Sequence, residues 1–447
     1  MKLVVACGLL CACQDQHTVI VGQGAAGSAE SAGSAAAAVV GAPRWAVALG
    51  TAYSDTGTGV AIDSTGDVVA VGVFDGPLDS QGIAIPTGFI TKRAASDGSE
   101  RWTAQIVTTA DRSYLSVMGV AVDPTDDSIV ITGDYQNSID FGGQTVVEPT
   151  GDGAAFVAKY SAGGQLQWVI TPETGATGLA VTIDSAAQIT VAGTIDVNAG
   201  SDDGPDTFVT AYDSAGNQQW SHTLDNASVQ AITLAANDDV VLAGDISMPA
   251  SVGGAVLTPA AGASAYVTRF RNDGSYVASR VVGTQQEQAT QVLATTSGQI
   301  VVQTVVDSGS NYSSSELYAL DDNNDDLWSV QLADDGNYGP LIRTLAAAPS
   351  GDIVSSAWND KGGSGAMQVV AFDEAGSSST SEFGNRVASA PAATAANAST
   401  ISATGATAYV GNFVGTVELA GSPLTSQNQT GIGAPTDVFV VLLAPPM

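Results

Sequence analysis

The feature that most constrains the fold is a motif repeated seven times along the 447 residues. Each copy is a short turn followed by an apolar strand, as in IDSTGDVVAVG and VDPTDDSIVITG. Copies spaced 51 to 61 residues apart indicate one supersecondary unit repeated in series. The centres of the seven turns are Gly66, Asp127, Ala187, Asp238, Gly298, Gly351 and Gly405.

A second motif repeats in another register and combines a strand, a tight turn and a Trp, as in FVAKYSAGGQLQW. Four copies end at Trp102, Trp168, Trp220 and Trp328, and two degenerate copies end at Ala278 and Thr380. Four residues before each end stands a residue type that tolerates positive φ, as a tight hairpin turn requires. These turn residues are Gly98, Gly164, Gly216, Gly274, Asn324 and Gly376.

Each repeat supplies four short strands, and a four-stranded sheet repeated radially is a propeller blade. The first repeat is preceded by an extra strand, RWAVALG with Trp45, and the last ends with VFVVLLAPPM and lacks a fourth strand. Pairing these two ends would leave no open sheet edge around the ring. The sequence therefore predicts an all-β fold, a single seven-bladed β-propeller of four-stranded antiparallel blades over residues 44–447, closed by the N-terminal strand.

The segments GVAIDSTGDVVAVG, FVAKYSAGGQLQW and FVTAYDSAGNQQW resemble the SBBP-type β-propeller repeat of bacterial secreted proteins, over roughly residues 44–443. The resemblance implies a propeller fold and an exported location, but no defined activity. The Asp-turn-Trp segment also looks like the docking motif of quinoprotein propellers. The predicted propeller contains no cysteine, so we expect no quinone cofactor.

The amino terminus has the pattern of a secretory signal, with Lys2 before the apolar run LVVACGLL, which is too short for a membrane span. LCAC resembles the bacterial lipobox, which implies a signal over residues 1–13 and lipid attachment at Cys13. VVAC ending at Cys7, or a plain signal peptide, is the alternative. Residues 14–43 are rich in Ala, Gly and Ser and predict a flexible tether. We therefore expect export to the outer membrane or cell surface, with membrane contact through the lipid only.

The formal net charge of −32 excludes nucleic acid and anionic lipid surfaces as partners, because they would be repelled. All three cysteines lie in the leader, so the predicted propeller has no disulfide and no thiol nucleophile. With only His17 and His222, a Ser-His-Asp triad or a multi-histidine metal site is not available. We predict a monomer that is not an enzyme. A carboxylate-dependent hydrolase or lyase is the alternative, because Asp is abundant.

One acidic turn has a pattern found in calcium loops. Asp321, Asn323 and Asp325 match the first three ligand offsets of an EF-type loop. The turn has no following Gly and no distal Glu, and it stands where the other repeats form a hairpin. A solvated acidic turn without metal is therefore the favoured interpretation, and calcium is the alternative.

The two faces of the predicted disk differ. The turns between the first and second strands and between the third and fourth strands are short and uniform, and we call their side the turn face. The long, dissimilar connections lie on the other side, the variable face, and variable loops on a rigid scaffold commonly carry binding. We expect this face to hold a protein or glycan partner at the cell envelope; a passive envelope component is the alternative. Tyr and Trp are favoured contact residues, although each could instead cover a blade rim or plug the channel. The predicted contacts are Tyr53, Tyr114, Tyr135, Tyr312, Tyr338 and Trp358.

Overall fold

The computed structural model shows a seven-bladed β-propeller, which confirms the predicted fold class. In the described part of the chain all regular structure is β-strand, and no helix has the length and apolarity to cross a membrane. The described residues are 21–22, 41–78, 84–108, 114–147, 152–195, 204–260, 262–284, 286–307, 313–332, 341–359, 366–382, 385–386, 393–419, 422–426 and 436–445.

Each blade is an antiparallel sheet whose strands we label A to D from the axis outward. In blades 1 to 7, strand A spans Asp55–Ile62, Leu115–Val122, Ala176–Ile183, Ser228–Leu234, Glu287–Ala294, Leu341–Ala347 and Ala393–Ile401. Strand B spans Val68–Leu78, Ile129–Tyr135, Ile189–Ile195, Val240–Ile246, Ile300–Asp307, Ile353–Asn359 and Thr407–Val414. Strand C spans Ala84–Arg93, Ala154–Tyr160, Asp206–Tyr212, Ser264–Phe270, Ser313–Leu320, Ala366–Phe372 and Asp437–Leu443. Strand D spans Glu100–Thr108, Leu166–Ile170, Gln218–Leu224, Tyr276–Val282, Asp326–Leu332, Ser378–Glu382 and Pro43–Leu49.

The ring is closed by the two ends of the chain. Strand A of every blade packs against strand A of the blades on either side, so the seven inner strands surround a central channel. In blade 7, strand D comes from the N-terminal side, and Pro43–Leu49 pairs antiparallel with Asp437–Leu443. The predicted closure is thereby confirmed, and no blade is left with an unfilled fourth position.

Left-handed backbone at the predicted turn centres sets the hairpins on the turn face. All seven centres between strands A and B have positive φ, including the non-glycine residues Asp127, Ala187 and Asp238. The six predicted centres between strands C and D also have positive φ. The uniform geometry of this face therefore follows from local signals in the sequence.

The repeated Trp joins each blade to the next. Trp102 of blade 1 donates its indole N–H to the carbonyl oxygen of Ala162 in blade 2 at 3.0 Å. Its ring lies against Gly164, where an added Cβ would come within 2.6 Å of the indole. The same pair of contacts is made by Trp45, Trp168, Trp220 and Trp328. At Gly98, Gly164, Gly274 and Gly376 the added Cβ would lie within 3.0 Å of the indole, so glycine is required there for space as well as for its backbone conformation, and Gly216 is tight at 3.3 Å.

Short additional strands lie on the variable face. In blade 2, Ser138–Asp140 and Thr145–Val147 form a hairpin that pairs with the end of strand D in blade 1. Blades 4 and 7 carry comparable hairpins, Ala250–Ser251 with Val256–Leu257 and Thr416–Leu419 with Ser422–Thr425, and the latter also pairs with Asn385–Arg386. These insertions make the variable face uneven from blade to blade.

Two residues of the range predicted as a tether are paired with the propeller. Val21–Gly22 forms a short antiparallel bridge with Leu332 and Gln331 of the outer strand of blade 5. The rest of the predicted signal and tether up to residue 40, including Cys13, lies outside the described residues. Lipid attachment and the tether stay predictions.

Candidate functional site

Exposed apolar side chains are concentrated on one side of the propeller. Of the eight large hydrophobic residues that are exposed in the described part of the chain, only Leu327 lies on the turn face, at the start of strand D in blade 5. The others are on the variable face, except Met118, which is on an inner strand. They are Tyr53, Ile85, Val107, Tyr114, Met118, Val147 and Val256.

Two of the predicted contact residues are at the surface. Tyr114 is 51% exposed and Tyr53 is 38% exposed, and both stand in connections that lead into strand A, in blades 2 and 1. Val107 and Val147 are exposed on the same two blades, since the hairpin that bears Val147 pairs with the end of the strand that bears Val107. We call these four exposed side chains of blades 1 and 2 the apolar patch.

The structure corrects the placement of Tyr135. It is the last residue of strand B in blade 2, only 1% exposed, and its ring packs beside Phe156 in the core. Its hydroxyl lies 3.2 Å from that of Thr171. Trp358 lies in strand B of blade 6, paired through its backbone with Leu341 and Met367. Tyr312 and Tyr338 lie outside the described residues, as does the side chain of Trp358, so their contact roles stay predictions.

A set of inner residues that sequence reasoning missed lines the channel. The register between strands A and B shifts at one place in all seven blades, so that one residue of strand A is bulged there. Strand A pairs with strand B on its outer edge and packs against neighbouring blades on both faces, so solvent reaches it through the channel. The bulged residues, which we call the channel ring, are Thr58, Met118, Leu179, Gln230, Thr290, Arg343 and Asn397.

The channel ring is divided into two arcs. The apolar residues Met118 and Leu179 are in adjacent blades 2 and 3, and the polar residues occupy blades 4 to 7 and blade 1. Gln230, Thr290, Arg343 and Asn397 are exposed. A signal for the ring does exist in the sequence, because each member directly precedes the first apolar strand of its repeat, as in TGVAID and MGVAVD. Without the strand register, that position looks like an ordinary loop residue.

Hydrogen bonds to the surrounding strands hold four of the polar ring residues, since the hydroxyls of Thr58 and Thr290 donate to the carbonyl oxygens of Val117 and Gln303. The amide of Asn397 donates to the carbonyl oxygen of Gly57 at 2.7 Å and to Oδ1 of Asn412 at 3.1 Å, across the seam between blades 7 and 1. The side chain of Gln230 hydrogen-bonds Asp245 of its own blade. The orientation of these amides is therefore fixed before any ligand arrives.

Buried carboxyl groups lie beneath the variable face and connect blades. Burial raises the pKa of Asp55 to about 6, against hydrogen bonds from Thr51, and the nearby charges of Asp437 and Asp75 add to the rise. The backbone N–H of Thr51 donates to this carboxylate at 2.6 Å. Burial also raises the pKa of Asp245 to about 6, although its Oδ1 accepts the backbone N–H of Ala289 in blade 5 at 2.6 Å.

A buried glutamate completes this layer of acids. Glu287 is fully buried, and its carboxylate accepts the hydroxyl of Tyr318 at 3.2 Å and that of Thr304 at 2.9 Å. All three side chains belong to blade 5. This carboxylate is enclosed by protein, so it serves the packing of blade 5 rather than the surface.

The acids of the candidate calcium turn contact the protein itself. Oδ1 of Asp321 accepts the backbone N–H groups of Asn323 and Asp325 at 2.8 and 2.9 Å, and these bonds lower the pKa of Asp321. The neighbours Asp322 and Asp326 form ion pairs with arginines of blade 4. Among the described residues, no group of three or more His, Cys, Asp and Glu side chains is arranged to hold a metal ion.

Comparisons with known proteins concern the fold. No family model matches the chain, and no curated protein sequence matches it. Among solved structures, the Dos1 propeller is similar at 10% identity, with 90% of this chain and 94% of that chain covered and a TM-score of 0.48. The polysaccharide lyase Uly1 is similar at 9% identity, with 87% and 90% covered and a TM-score of 0.48. At this level of identity neither similarity supports an activity for this chain.

Proposed function

We propose that this chain is an exported, lipid-anchored β-propeller that binds a protein or glycan partner at the cell envelope through its variable face. The observation that carries the proposal is the distribution of exposed apolar side chains, seven of eight of which lie on that face or in the channel ring. A concentration of exposed apolar side chains on one side of a protein favours an interaction site there. The SBBP-like repeats and the lipobox-like LCAC support export and anchoring.

The placement of the carboxyl groups favours binding over the alternative of a carboxylate-dependent hydrolase or lyase. Such an enzyme needs two carboxyl groups that reach the same bond of a substrate. Asp245 accepts a hydrogen bond from the next blade, Asp55 accepts one at the seam of the ring, and Glu287 is enclosed within blade 5. Each of these acids accepts a hydrogen bond within the fold, whereas the side chains of Tyr53 and Tyr114 are exposed.

The test is capture of a partner from native envelope by the full-length protein and by matched variants. Tyr53→Ser with Tyr114→Ser removes the two exposed aromatic side chains of the apolar patch, and Leu327→Ser removes an equally exposed side chain, 49%, on the turn face. We expect the double variant to recover at least tenfold less of the partner and Leu327→Ser to match the wild type. Equal recovery by all three proteins, or capture of no partner, contradicts the proposal.

A further inference from the structure

The channel ring has an arrangement that the fold alone does not require. A bulge removes regular pairing and re-aims a side chain, and bulges often occur beside binding sites. Here all seven inner strands are bulged at the same level, and five of the seven bulged residues are exposed, namely Met118, Gln230, Thr290, Arg343 and Asn397. The chemistry of these side chains follows no repeat, although the backbone does. A ring with constant geometry and varied chemistry is suited to recognition.

The two arcs of the ring match the two surfaces of a sugar ring. A pyranose has an apolar face of C–H groups and a rim of hydroxyls. Met118, which is 38% exposed, offers an apolar contact, and its thioether adapts readily to the shape of a ligand, while Leu179 packs against the core beside it. In the other blades, Asn397 offers its amide oxygen as an acceptor, because both hydrogens of its amide are donated within the fold. The amide of Gln230 and the guanidinium of Arg343 supply donors. Hydroxyl groups need this mixture because each one donates and accepts.

The net negative charge of the chain favours neutral sugars over acidic ones as ligands. Arg343 is the ring's ionisable member, whereas the chain as a whole carries −32. Asp134 and Asp245, near the ends of strand B in blades 2 and 4, lie on the same side of the disk as the ring. An acidic polysaccharide would be repelled by this field at every approach. A neutral glycan gains the hydrogen bonds of the ring without that penalty.

An extended peptide fits the ring less well. Its backbone N–H and C=O groups point in opposite directions at regular intervals and need partners along both edges. The ring offers single side chains from seven strands arranged around an axis, which suits a compact group that inserts from one end. A terminal sugar residue is such a group.

We propose that the channel ring binds a neutral sugar residue of a glycan that enters from the variable face. This inference rests on the proposed binding function and names the ligand class for one part of that face. Met118 contacts the C–H face of the sugar, and Gln230, Arg343 and Asn397 hydrogen-bond its hydroxyls.

The test is calorimetric titration of the full-length protein with neutral hexasaccharides of glucose, mannose, xylose and N-acetylglucosamine, and with an anionic oligogalacturonide. The informative variants are Arg343→Ala and Met118→Ser, because neither side chain makes a hydrogen bond among the described residues and the fold should be preserved. We expect at least one neutral hexasaccharide to bind and each variant to weaken it by tenfold or more. Arg343→Lys should restore part of the affinity.

The proposal is overturned if no neutral hexasaccharide binds, if only the oligogalacturonide binds, or if both variants bind as the wild type does. Its failure is distinguishable from failure of the proposed function. Tyr53→Ser with Tyr114→Ser leaves the ring intact and should not alter the titration, whereas it should still abolish capture of an envelope partner.

Discussion

The interface between blades 1 and 2 differs in chemistry from the interface between blades 4 and 5. In the first, the indole of Trp102 covers Gly164 and donates to the carbonyl oxygen of Ala162 at 3.0 Å. The ammonium of Lys92 reaches the same oxygen at 3.5 Å and forms an ion pair with Asp63 at 2.6 Å. An aromatic ring and a buried cation thus hold one turn of the next blade.

Between blades 4 and 5 the indole is missing. Ala278 stands in the position of the Trp, and the facing turn has Asn324, at φ 65°, in place of glycine. The carbonyl oxygen of Asp322, which corresponds to that of Ala162, accepts from Nη1 of Arg269 at 3.1 Å. Arg280 donates to the carbonyl oxygen of Asn324 at 2.6 Å. Arg269 pairs with Ala278 as Lys92 pairs with Trp102, so a guanidinium takes the place of the ammonium while the indole has no direct counterpart.

Ala278 in place of Trp and Asn324 in place of Gly are therefore coupled departures from the repeat. An indole at this interface leaves no room for a Cβ on the turn, so the turn residue can differ from glycine only where the indole is absent. Thr380, which takes the position of the Trp in blade 6, is also explained by the turn of the next blade. Strand D of blade 7 comes from the other end of the chain, so blade 7 has no hairpin between strands C and D for a Trp of blade 6 to cover.

The largest effect is expected from Arg269→Met, which removes the cation that holds the facing turn where the indole is absent. Arg269 is 4% exposed, and its ion pair with Asp239 at 2.8 Å is buried, so the variant leaves a carboxylate without its partner. We expect the free energy of unfolding to fall by about 3–4 kcal/mol. Arg101→Met is the matched control, because it breaks an ion pair between the same atom types, Nε of Arg101 and Oδ2 of Asp67, at 3.0 Å. Arg101 is 54% exposed, so the free energy of unfolding should fall by less than about 1 kcal/mol. Urea unfolding measures both, and equal losses would refute the assigned role of Arg269.

Gly164→Ala tests the requirement for space under the indole. The added Cβ meets the ring of Trp102 at 2.6 Å, in a backbone conformation of φ 81°. We expect a loss of about 3 kcal/mol, from overpacking and from left-handed strain together. Gly298→Ala is the matched control, since its φ is 91° and nothing lies within 4 Å of the new atom. Strain alone should cost about 1 kcal/mol there.

The same variant in a Trp102→Ala background separates the two causes. Without the indole, only the strain should remain, and the cost of Gly164→Ala should fall to that of Gly298→Ala. A cost that does not depend on residue 102 would show that the indole is irrelevant to the choice of glycine.

Rebuilding the indole between blades 4 and 5 should produce a smaller, coupled effect. Ala278→Trp alone should destabilise the protein, because the ring meets the buried side chain of Asn324, which is 3% exposed. Adding Asn324→Gly removes that side chain and an amide that has no hydrogen-bond partner. We expect a favourable coupling of about 1–2 kcal/mol in a double-mutant cycle by urea unfolding. Additive effects would mean that the two positions are independent.

The smallest effect concerns pH, at the carboxyl groups that join blades beneath the variable face. The pKa of Asp55 and that of Asp245 are raised to about 6 in the folded protein, from 3.8. Between these values the folded state binds more protons than the unfolded state, so stability should rise as pH falls from 7 to 5. Asp55→Asn and Asp245→Asn should each reduce this rise. Asp97→Asn should not, because hydrogen bonds from Ser99 lower the pKa of Asp97. Urea midpoints at pH 7 and pH 5 decide the matter.

The parts of the fold that could be predicted from the sequence are those set by local backbone conformation. Positive φ at a turn is encoded at the turn itself, so both repeat registers were recognisable, and Asn324 was recognisable as the substitute for glycine. The register between strands, in contrast, depends on pairing with residues that are distant in the sequence. Tyr135 follows TGD and resembles a loop residue, but strand B extends through it and its ring falls in the core.

The channel ring was missed for the same reason. A bulge exists only with respect to the partner strand, so the residue before each apolar run looks like an ordinary loop residue until the strand register is known. The hairpin of blade 2 pairs with the sheet of blade 1, and no short sequence segment predicts this pairing. Such non-local pairings are what place exposed side chains of different blades side by side on the variable face.

The most direct test of binding through the variable face is site-specific photocrosslinking in living cells. A photoreactive amino acid is placed at Tyr114 on the variable face or at Leu327 on the turn face, two positions of similar exposure, 51% and 49%. Our account predicts a discrete crosslinked product at Tyr114 and none at Leu327. The same product at both positions, or a product at Leu327 alone, would contradict it.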